Sequence, residues 1–306
     1  MAADDSRDVQ VAATARPEPP FAMSVDVEDY FQVQAFAHLV DRSAWDRYPT
    51  RVERNVDDLL AILADARAYG TFFVLGWVAA RYPALVRRIA SCGHEIGSHG
   101  MSHRMLTEMT PAEVREEART SRQLLEDVSS TRVEGFRAPT YSVNGRTRWA
   151  LDVLAEAGYA YDSSIFPIRR RRYGYPGGPT APVRLPTDRS EIAEFPMTTI
   201  GVGPIRLPIL AGSYLRLVPA WISRAAVSYH AWRRLPLMVN VHPWEIDPGQ
   251  PTIAPSRRRA WTHYGRLART AATLRSVLGM ARFASVASRL REMRLLDCAR
   301  AAGSPA

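Results

Sequence analysis

The sequence predicts one α/β domain built on a parallel sheet, either doubly wound or closed as a barrel. Three observations carry this. Seven or eight short apolar runs alternate with segments whose apolar residues recur at helical spacing. No internal repeat divides the chain. Ionisable residues gather where the apolar runs end, and in parallel α/β folds sites form at the carboxyl ends of strands.

In chain order, "FAMSVDV" (21–27) reads as a buried strand. "RVERNVDDLLAILADARAYG" follows as a helix, with Val52, Val56, Leu59, Leu60 and Leu63 on one face and Gly70 as its stop. "TFFVL" is strand, "PALVRRIASCG" a helix opened by Pro83, and "HEIGS" a short strand containing His94, read as a packed structural histidine. Thr110 and Glu113, three residues apart, form a capping box that starts the helix "TPAEVREEARTSRQLLEDV". "VEGFR" (strand), "RTRWALDVLAEAG" (helix) and "YAYDSS" (strand) come next, then a Pro- and Gly-rich stretch over 167–190. The pattern closes with the strand "AEFPM", a helix near 217–232, the strand "LMVNV" and a basic helix over 257–278. Trp221, Trp232 and Trp261 read as packing residues.

Composition excludes several function classes. The net charge is +9, yet all 40 basic residues are arginine and spread along the chain. Only "RRRR" (169–172) and "SRRR" (256–259) are dense, and no nucleic-acid motif accompanies them, so a nucleic-acid partner is not expected. An anionic polysaccharide or a membrane surface suits such charge better. Without lysine there is no Schiff base, no pyridoxal cofactor and no P-loop lysine. No apolar run reaches the ~18 residues of a membrane span. The polar, proline-containing start (1–20) reads as a disordered leader without the layout of a secretory signal, which predicts a cytoplasmic protein, peripheral at most to the inner membrane. Cys92 and Cys298 form no metal-binding pair and read as reduced thiols.

The chemistry lies at the strand ends. "MSVDVEDYF" places Asp26, Glu28 and Asp29 within four positions directly after an apolar run. His99 and His103 are spaced four apart, which would set both imidazoles on one face of a helical turn as ligands of one metal ion. A catalytic zinc takes three protein ligands and keeps a place for water, so a carboxylate from 26–29 completes the set. In an extended strand Asp26 and Glu28 share a face, which favours Glu28; a bulge would bring in Asp29 instead. Arg137, Asp162 and His242 end three further strands. A metal, a carboxylate and a histidine can together polarise a carbonyl, activate a water and supply a proton to a leaving group.

These motifs resemble the polysaccharide deacetylase family, the NodB-homology domain of carbohydrate esterase family 4, over about residues 21–250. "SVDVED", "SHGMSH", "RAPTY", "YDSSIF" and "NVHPW" stand in the family's motif order. "YDSSIFPIRRRRYGYP", "VHPWEIDPGQP" and the segment from "THYGRLART" on look like its exosortase-associated exopolysaccharide subfamily. The resemblance implies a distorted (β/α)7-type barrel (the NodB fold) over 21–250, a helical extension packing on it (251–290) and a flexible tail (291–306). It implies a zinc-type divalent metal on His99, His103 and Glu28 or Asp29. Asp26 would be the general base, Arg137 its ion-pair partner, His242 the general acid and Asp162 the group tuning its pKa. Main-chain N–H groups near Thr140 and Tyr141 would hold the oxyanion, and Pro139, Thr140, Tyr141 and Trp244 would meet the substrate. That substrate would be an N-acetylated polysaccharide or its lipid-linked oligosaccharide precursor. A hydrolase of small amides or ureides on the same fold and a non-catalytic glycan-binding protein are the alternatives. The sequence departs from the family pattern in separating its acids as Asp-Val-Glu-Asp and in placing Thr140 where an aromatic is common.

Overall fold

The computed structural model describes residues 19–170, 172–203, 205–253 and 256–297. The expected leader and the end of the expected tail, with Cys298, lie outside the described residues. In order the elements are β1 (Phe21–Val27), α1 (Val52–Asp65), β2 (Thr71–Val74), α2 (Gly76–Arg81), α3 (Pro83–Ser91), β3 (Glu95–Ser98), α4 (Pro111–Ser129), β4 (Gly135–Phe136), α5 (Ala150–Glu156) and β5 (Tyr161–Asp162). Then come β6 (Val183–Pro186), β7 (Glu191–Glu194), β8 (Thr199–Val202), β9 (Ile205–Pro208), α6 (Ser213–Leu217), α7 (Ala220–Arg233), β10 (Leu237–Val241), α8 (Arg257–Tyr264), α9 (Leu267–Leu278) and α10 (Val286–Glu292). The alternation read from the sequence is present, and so is the Thr110–Glu113 capping box. Several details differ. The basic helix of 257–278 breaks into α8 and α9 at Gly265–Arg266; His94 precedes its strand; β6 lies inside the Pro- and Gly-rich stretch; and α2, α6, α10 and the hairpin β8–β9 stand where the pattern gave no element.

Seven strands run parallel in the order β10-β1-β2-β3-β4-β5-β7, with β6 antiparallel on the far side of β7. The sheet curls until β7's continuation meets β10. There no ladder forms; the Thr198 hydroxyl instead donates to Met238 O (3.1 Å) and accepts from Met238 N–H (2.6 Å). The Thr198 side chain bridges one part of the seam, and the backbone of 210–212 bonds β10 at another (Asn240 N–H to Leu210 O, 2.9 Å; Gly212 N–H to Asn240 O, 3.0 Å), closing a seven-stranded, incompletely hydrogen-bonded barrel.

Both faces of β1 are buried, as expected for a strand inside a parallel barrel. Its odd-numbered residues Phe21, Met23, Val25 and Val27 pack outward in the main apolar core. The even-numbered Ala22, Ser24 and Asp26 point the other way, and β10 repeats the alternation with Met238 and Asn240. These inward side chains mix an apolar cluster (Ala22, Phe73, Met238) with polar Ser24 and Asn240, and ionisable groups stand at both ends, Glu95 beside α10 and Asp26 at the mouth. At β4, Gly135 is obligatory, because a Cβ there would lie 2.1 Å from Tyr161 Cζ.

The C-terminal segment closes the floor. Ala284 bonds to β1 in both directions (Met23 N–H to Ala284 O, 3.0 Å; Ala284 N–H to Phe21 O, 3.1 Å). Val286, Ala287 and Leu290 of α10 join the lumen's apolar cluster. The first N–H groups of α10 find acceptors inside the barrel: Val286 N–H donates to Thr71 Oγ1 (2.8 Å) and Ala287 N–H to the Glu95 carboxyl (3.1 Å).

Thr198→Val keeps the volume at the seam but leaves the buried Met238 N–H without an acceptor. The expected loss is about 1–3 kcal/mol of unfolding free energy, read as a lower urea midpoint with an unchanged slope.

Candidate active site

The site begins with one cation. Arg137, at the end of β4, is completely buried. Its Nε donates to Ser163 O (2.9 Å) and Nη2 to Ser163 Oγ (2.8 Å). Nη1 reaches Ser24 Oγ (2.8 Å), Asp26 Oδ1 (2.7 Å) and Asn240 Oδ1 (2.7 Å), and the guanidinium lies 4.1 Å from the Phe73 ring centroid. Asp26 is thereby held between strands. Its other oxygen accepts from Asn240 Nδ2 (3.1 Å) and the Tyr141 hydroxyl (3.3 Å). Burial works to raise this carboxyl, but Arg137, then His99 and His242, hold it below the ordinary 3.8. Asp26 is therefore ionised at neutral pH.

Beside it, donor atoms of Glu28, His99 and His103 all lie within 4.8 Å of one another, and all three residues are buried. His99 Nδ1 faces Arg137 O at 2.8 Å, so the proton belongs on Nδ1 and Nε2 is the free lone pair. Burial also pulls the His99 pKa down to about 4, keeping the ring neutral. Glu28 Oε2 sits 2.6 Å from His103 Nε2, yet its geometry makes no hydrogen bond, leaving a buried carboxylate oxygen unpartnered. Two imidazoles and a carboxylate, all buried, with an unpartnered carboxylate oxygen among them, fit a divalent cation of zinc type.

The histidine pair does not sit on a helix. His99–Arg104 is a loop in which Gly100 (φ 73°) and His103 (φ 56°) adopt left-handed conformations. Glu117 of α4 binds the N–H groups of Met101 (3.0 Å) and Ser102 (3.3 Å), and Arg42 donates to Ser102 O (2.9 Å) and His103 O (3.2 Å). These braces do the work expected of a helical turn.

Asp29 is not in the group. The chain turns after Glu28, so Asp29 faces the start of α1 and accepts from the N–H groups of Arg51 (2.7 Å), Val52 (3.1 Å) and Tyr30 (2.9 Å). It caps a helix. The extended register places Glu28, two residues beyond Asp26, on the site side instead.

On the opposite wall stands His242, its Nε2 3.7 Å from both Asp26 Oδ2 and Glu28 Oε1. Asp162 is not its partner. The Asp162 carboxyl binds Ser164 N–H (3.1 Å) and Oγ (2.5 Å) and shares a buried position with Glu194, so both acids are pushed up by burial. His242 Nδ1 instead meets Glu245 Oε2 (3.0 Å), and Glu245 Oε1 is paired with the buried Arg216 of α6. Burial alone would lower the imidazole; the Glu245 hydrogen bond and charge, then Glu28 and Asp26, raise it to about 9. Because the folded value exceeds the ordinary 6.5, the stabilisation is complete below about pH 6.5 and is lost as pH rises through about 9.

These groups line a cavity of about 530 Å³ that continues past Thr140, Tyr141, Phe166, Tyr173 and Tyr214. Pro139 is buried and does not line it. The Tyr141 N–H, expected to hold an oxyanion, is taken by Ala138 O (3.0 Å); Thr140 and Tyr141 both have left-handed backbone there (φ 58° and 51°). Trp244 reaches the cavity, but its ring stacks on His242 and on His263 (centroids 5.2 and 4.2 Å), and Nε1 donates to Glu28 Oε1 (3.2 Å). It is a wall and a brace for the site's own side chains. His263, on a helix to which no catalytic part was assigned, also lines the cavity. Arg170 of the basic loop bonds the Tyr214 hydroxyl (3.2 Å), close to the cavity wall. Sequence reasoning missed Ser24, Asn240 and Arg216. The first two were legible: Ser24 lies two residues before Asp26 and Asn240 two before His242, on the same strand faces. Nothing local marks Arg216.

The polysaccharide deacetylase sequence profile matches residues 43–161, and a profile described as a domain of unknown function (DUF3473) matches 163–291. Residues 43–161 thus carry a match to the polysaccharide deacetylase family. The chain is 31% identical over 121 residues to a chitooligosaccharide deacetylase of Bradyrhizobium sp. (strain ANU 289), covering 39% of this chain and 53% of that one. A second chitooligosaccharide deacetylase, of Sinorhizobium fredii, is 35% identical over 34% of this chain and 47% of its own. The match to the peptidoglycan-N-acetylmuramic acid deacetylase PdaC of Bacillus subtilis (29% identity) covers 30% and 20%. The chain thus aligns with about half or less of these relatives. A solved putative polysaccharide deacetylase from Mycobacterium smegmatis superposes with a TM-score of 0.62 at 23% identity, over 94% of both chains. Puue allantoinase gives 0.60 at 15% identity, over 96% of this chain and 98% of its own. These two likenesses show the fold.

Glu28 and Asp29 are separable by zinc titration calorimetry. Glu28→Gln is expected to weaken zinc binding by about 10–100-fold or more. Asp29→Asn should leave zinc affinity within about twofold while lowering stability by about 1 kcal/mol through the weakened cap.

Proposed function

We propose that the protein is a metal-dependent N-deacetylase, hydrolysing acetamide groups of N-acetylated sugars in an exopolysaccharide or its lipid-linked precursor. One observation carries this reading: an ionised carboxylate, a three-ligand metal group and a protonated histidine converge on a single cavity large enough for a sugar. The family match over residues 43–161 and the glycan-deacetylase names of the relatives support it. The second matched profile covers the stretch whose motifs resemble the exopolysaccharide subfamily.

Glu28, His99 and His103 would hold the metal, which supplies Lewis-acid polarisation of the amide carbonyl and acidifies water. Asp26, aimed by Arg137 and Asn240, takes a proton from the attacking water as the C–O bond forms. His242, kept protonated by Glu245, gives its Nε2 proton to the sugar nitrogen as the C–N bond breaks; acetate and a free amine leave. The Tyr141 hydroxyl, bonded to both Asp26 and Asn240, fixes the far side of the base. A protein that only binds glycan has no need of Asp26 locked to a buried arginine facing an acid histidine.

Acetate release from chitooligosaccharides and N-acetylated exopolysaccharide should be lost on chelation and restored by zinc. Asp26→Asn should lower kcat by about 10²–10⁴-fold even with zinc added. Absence of release from every glycan by zinc-loaded protein would remove the proposal.

The pH–rate profile gives a separate test. Activity requires ionised Asp26 and protonated His242, so it should fall on the alkaline side near pH 9. In Glu245→Gln that limb should move down toward the ordinary imidazole value of 6.5.

A further inference from the structure

Between Glu194 and Glu292 the chain has only two carboxylates, Glu245 and Asp247. Both are buried and paired, Glu245 with Arg216 and Asp247 with Arg51. The exposed surface of this long stretch therefore carries arginine charge with no acidic residue of its own. Seven of the nine exposed large apolar residues among the described residues lie in it, six of them between Ile205 and Leu235, so apolar and cationic exposure coincide.

They come together most clearly on α7. Its inner side is buried through Ser223, Ala226, Val227 and His230. The outer face runs Trp221, Ala225, Ser228, Trp232, at helical spacing i, i+4, i+7, i+11. Trp221 is 70% and Trp232 76% exposed, against the expectation that both are packing residues. Tyr229 and Leu235 widen the face, and Arg224, Arg233 and Arg234 flank it in solvent. The neighbouring α9, packed against α7, adds exposed Arg269 and Arg275.

We infer that the outer face of α7 docks on an anionic phospholipid membrane surface. Indole rings settle at the level of lipid headgroups, where one part of the ring is apolar and the N–H stays wet. Arginine stems lie along apolar surface while their heads meet lipid phosphates. A helix with tryptophans on one face and cations at its borders is the pattern of an interfacial helix. Charge complementarity selects this occupant. A second copy of the chain would bring Arg224, Arg233 and Arg234 against their own kind with no carboxylate to offset them. A soluble polyanion would use the arginines but leave the indoles unexplained. The inference does not depend on the deacetylase chemistry.

The test is flotation of the full chain with vesicles of phosphatidylcholine alone and with about one third phosphatidylglycerol. Binding is expected to the anionic vesicles only, and to weaken with added salt. Trp221→Ser/Trp232→Ser should reduce partitioning about tenfold or more, with unchanged zinc titration and thermal unfolding. Arg224→Gln/Arg233→Gln should reduce it independently and flatten the salt dependence. Failure of the wild type to float with anionic vesicles overturns the inference, as does undiminished binding by both variants. A wild-type dimer in light scattering that the double tryptophan variant dissociates would assign the face to self-association instead.

Discussion

The buried guanidinium of Arg137 is the constraint on which the rest of the site depends. A charge that cannot be neutralised by deprotonation must be met by acceptors or not be buried at all. Here the acceptors come from β1 (Ser24, Asp26), β10 (Asn240) and the chain just past β5 (Ser163). Strands on both sides of the barrel are thus fixed to one planar group, and Asp26 gains an orientation it could not keep alone. Breaking a buried ion pair costs on the order of 3–5 kcal/mol, so Asp26, the base in the proposed reaction, is also a structural residue. The polar Ser24 and Asn240 let an α/β core with an apolar cluster inside it end in a charged mouth.

Two further carboxylates share the task of positioning without entering the chemistry. Glu117 orders the loop that carries both histidines, and Glu245 fixes the ring on the opposite wall. Each is tied to a different helix: Glu117 belongs to α4, and Glu245 is paired with Arg216 of α6. The two halves of the cavity are therefore set by separate parts of the outer helical layer, while Arg137 and Asp26 keep the middle fixed.

Much of this was legible in the sequence because it follows from periodicity. Strand alternation placed Asp26 and Glu28 on one face, and the same rule points to Ser24 and Asn240. What escaped had no local signal. The loop conformation of His99–His103 rests on Glu117 and Arg42, and a four-residue spacing alone reads as helix. Glu245, three residues beyond His242 and readable as bonding its loop, takes the place expected of Asp162 because the turn after β10 folds it back onto the ring. Trp244 lines the cavity, and its ring is also packed on His242 and His263 and bonded to Glu28, a tie that no spacing announces. The exposed tryptophans of α7 depart from their reading as packing residues: in a helix of mixed composition the face turned to the core is set by neighbours, not by the largest side chains.

The return of residues 284–290 to the barrel floor has a bearing on how the molecule is made. β1 is synthesised early, yet it pairs with β10, over 200 residues later, and receives Ala284 and α10 later still. Until those segments emerge, one edge of β1 is open and the lumen has no floor. During translation the nascent chain therefore holds its most buried strand half-paired, with the acids of the site next to an unfilled apolar space. Completion of the site is deferred to the closing moments of synthesis, and a ribosome that stops short of residue 284 leaves a chain with every side chain named for the site and no finished barrel to hold them.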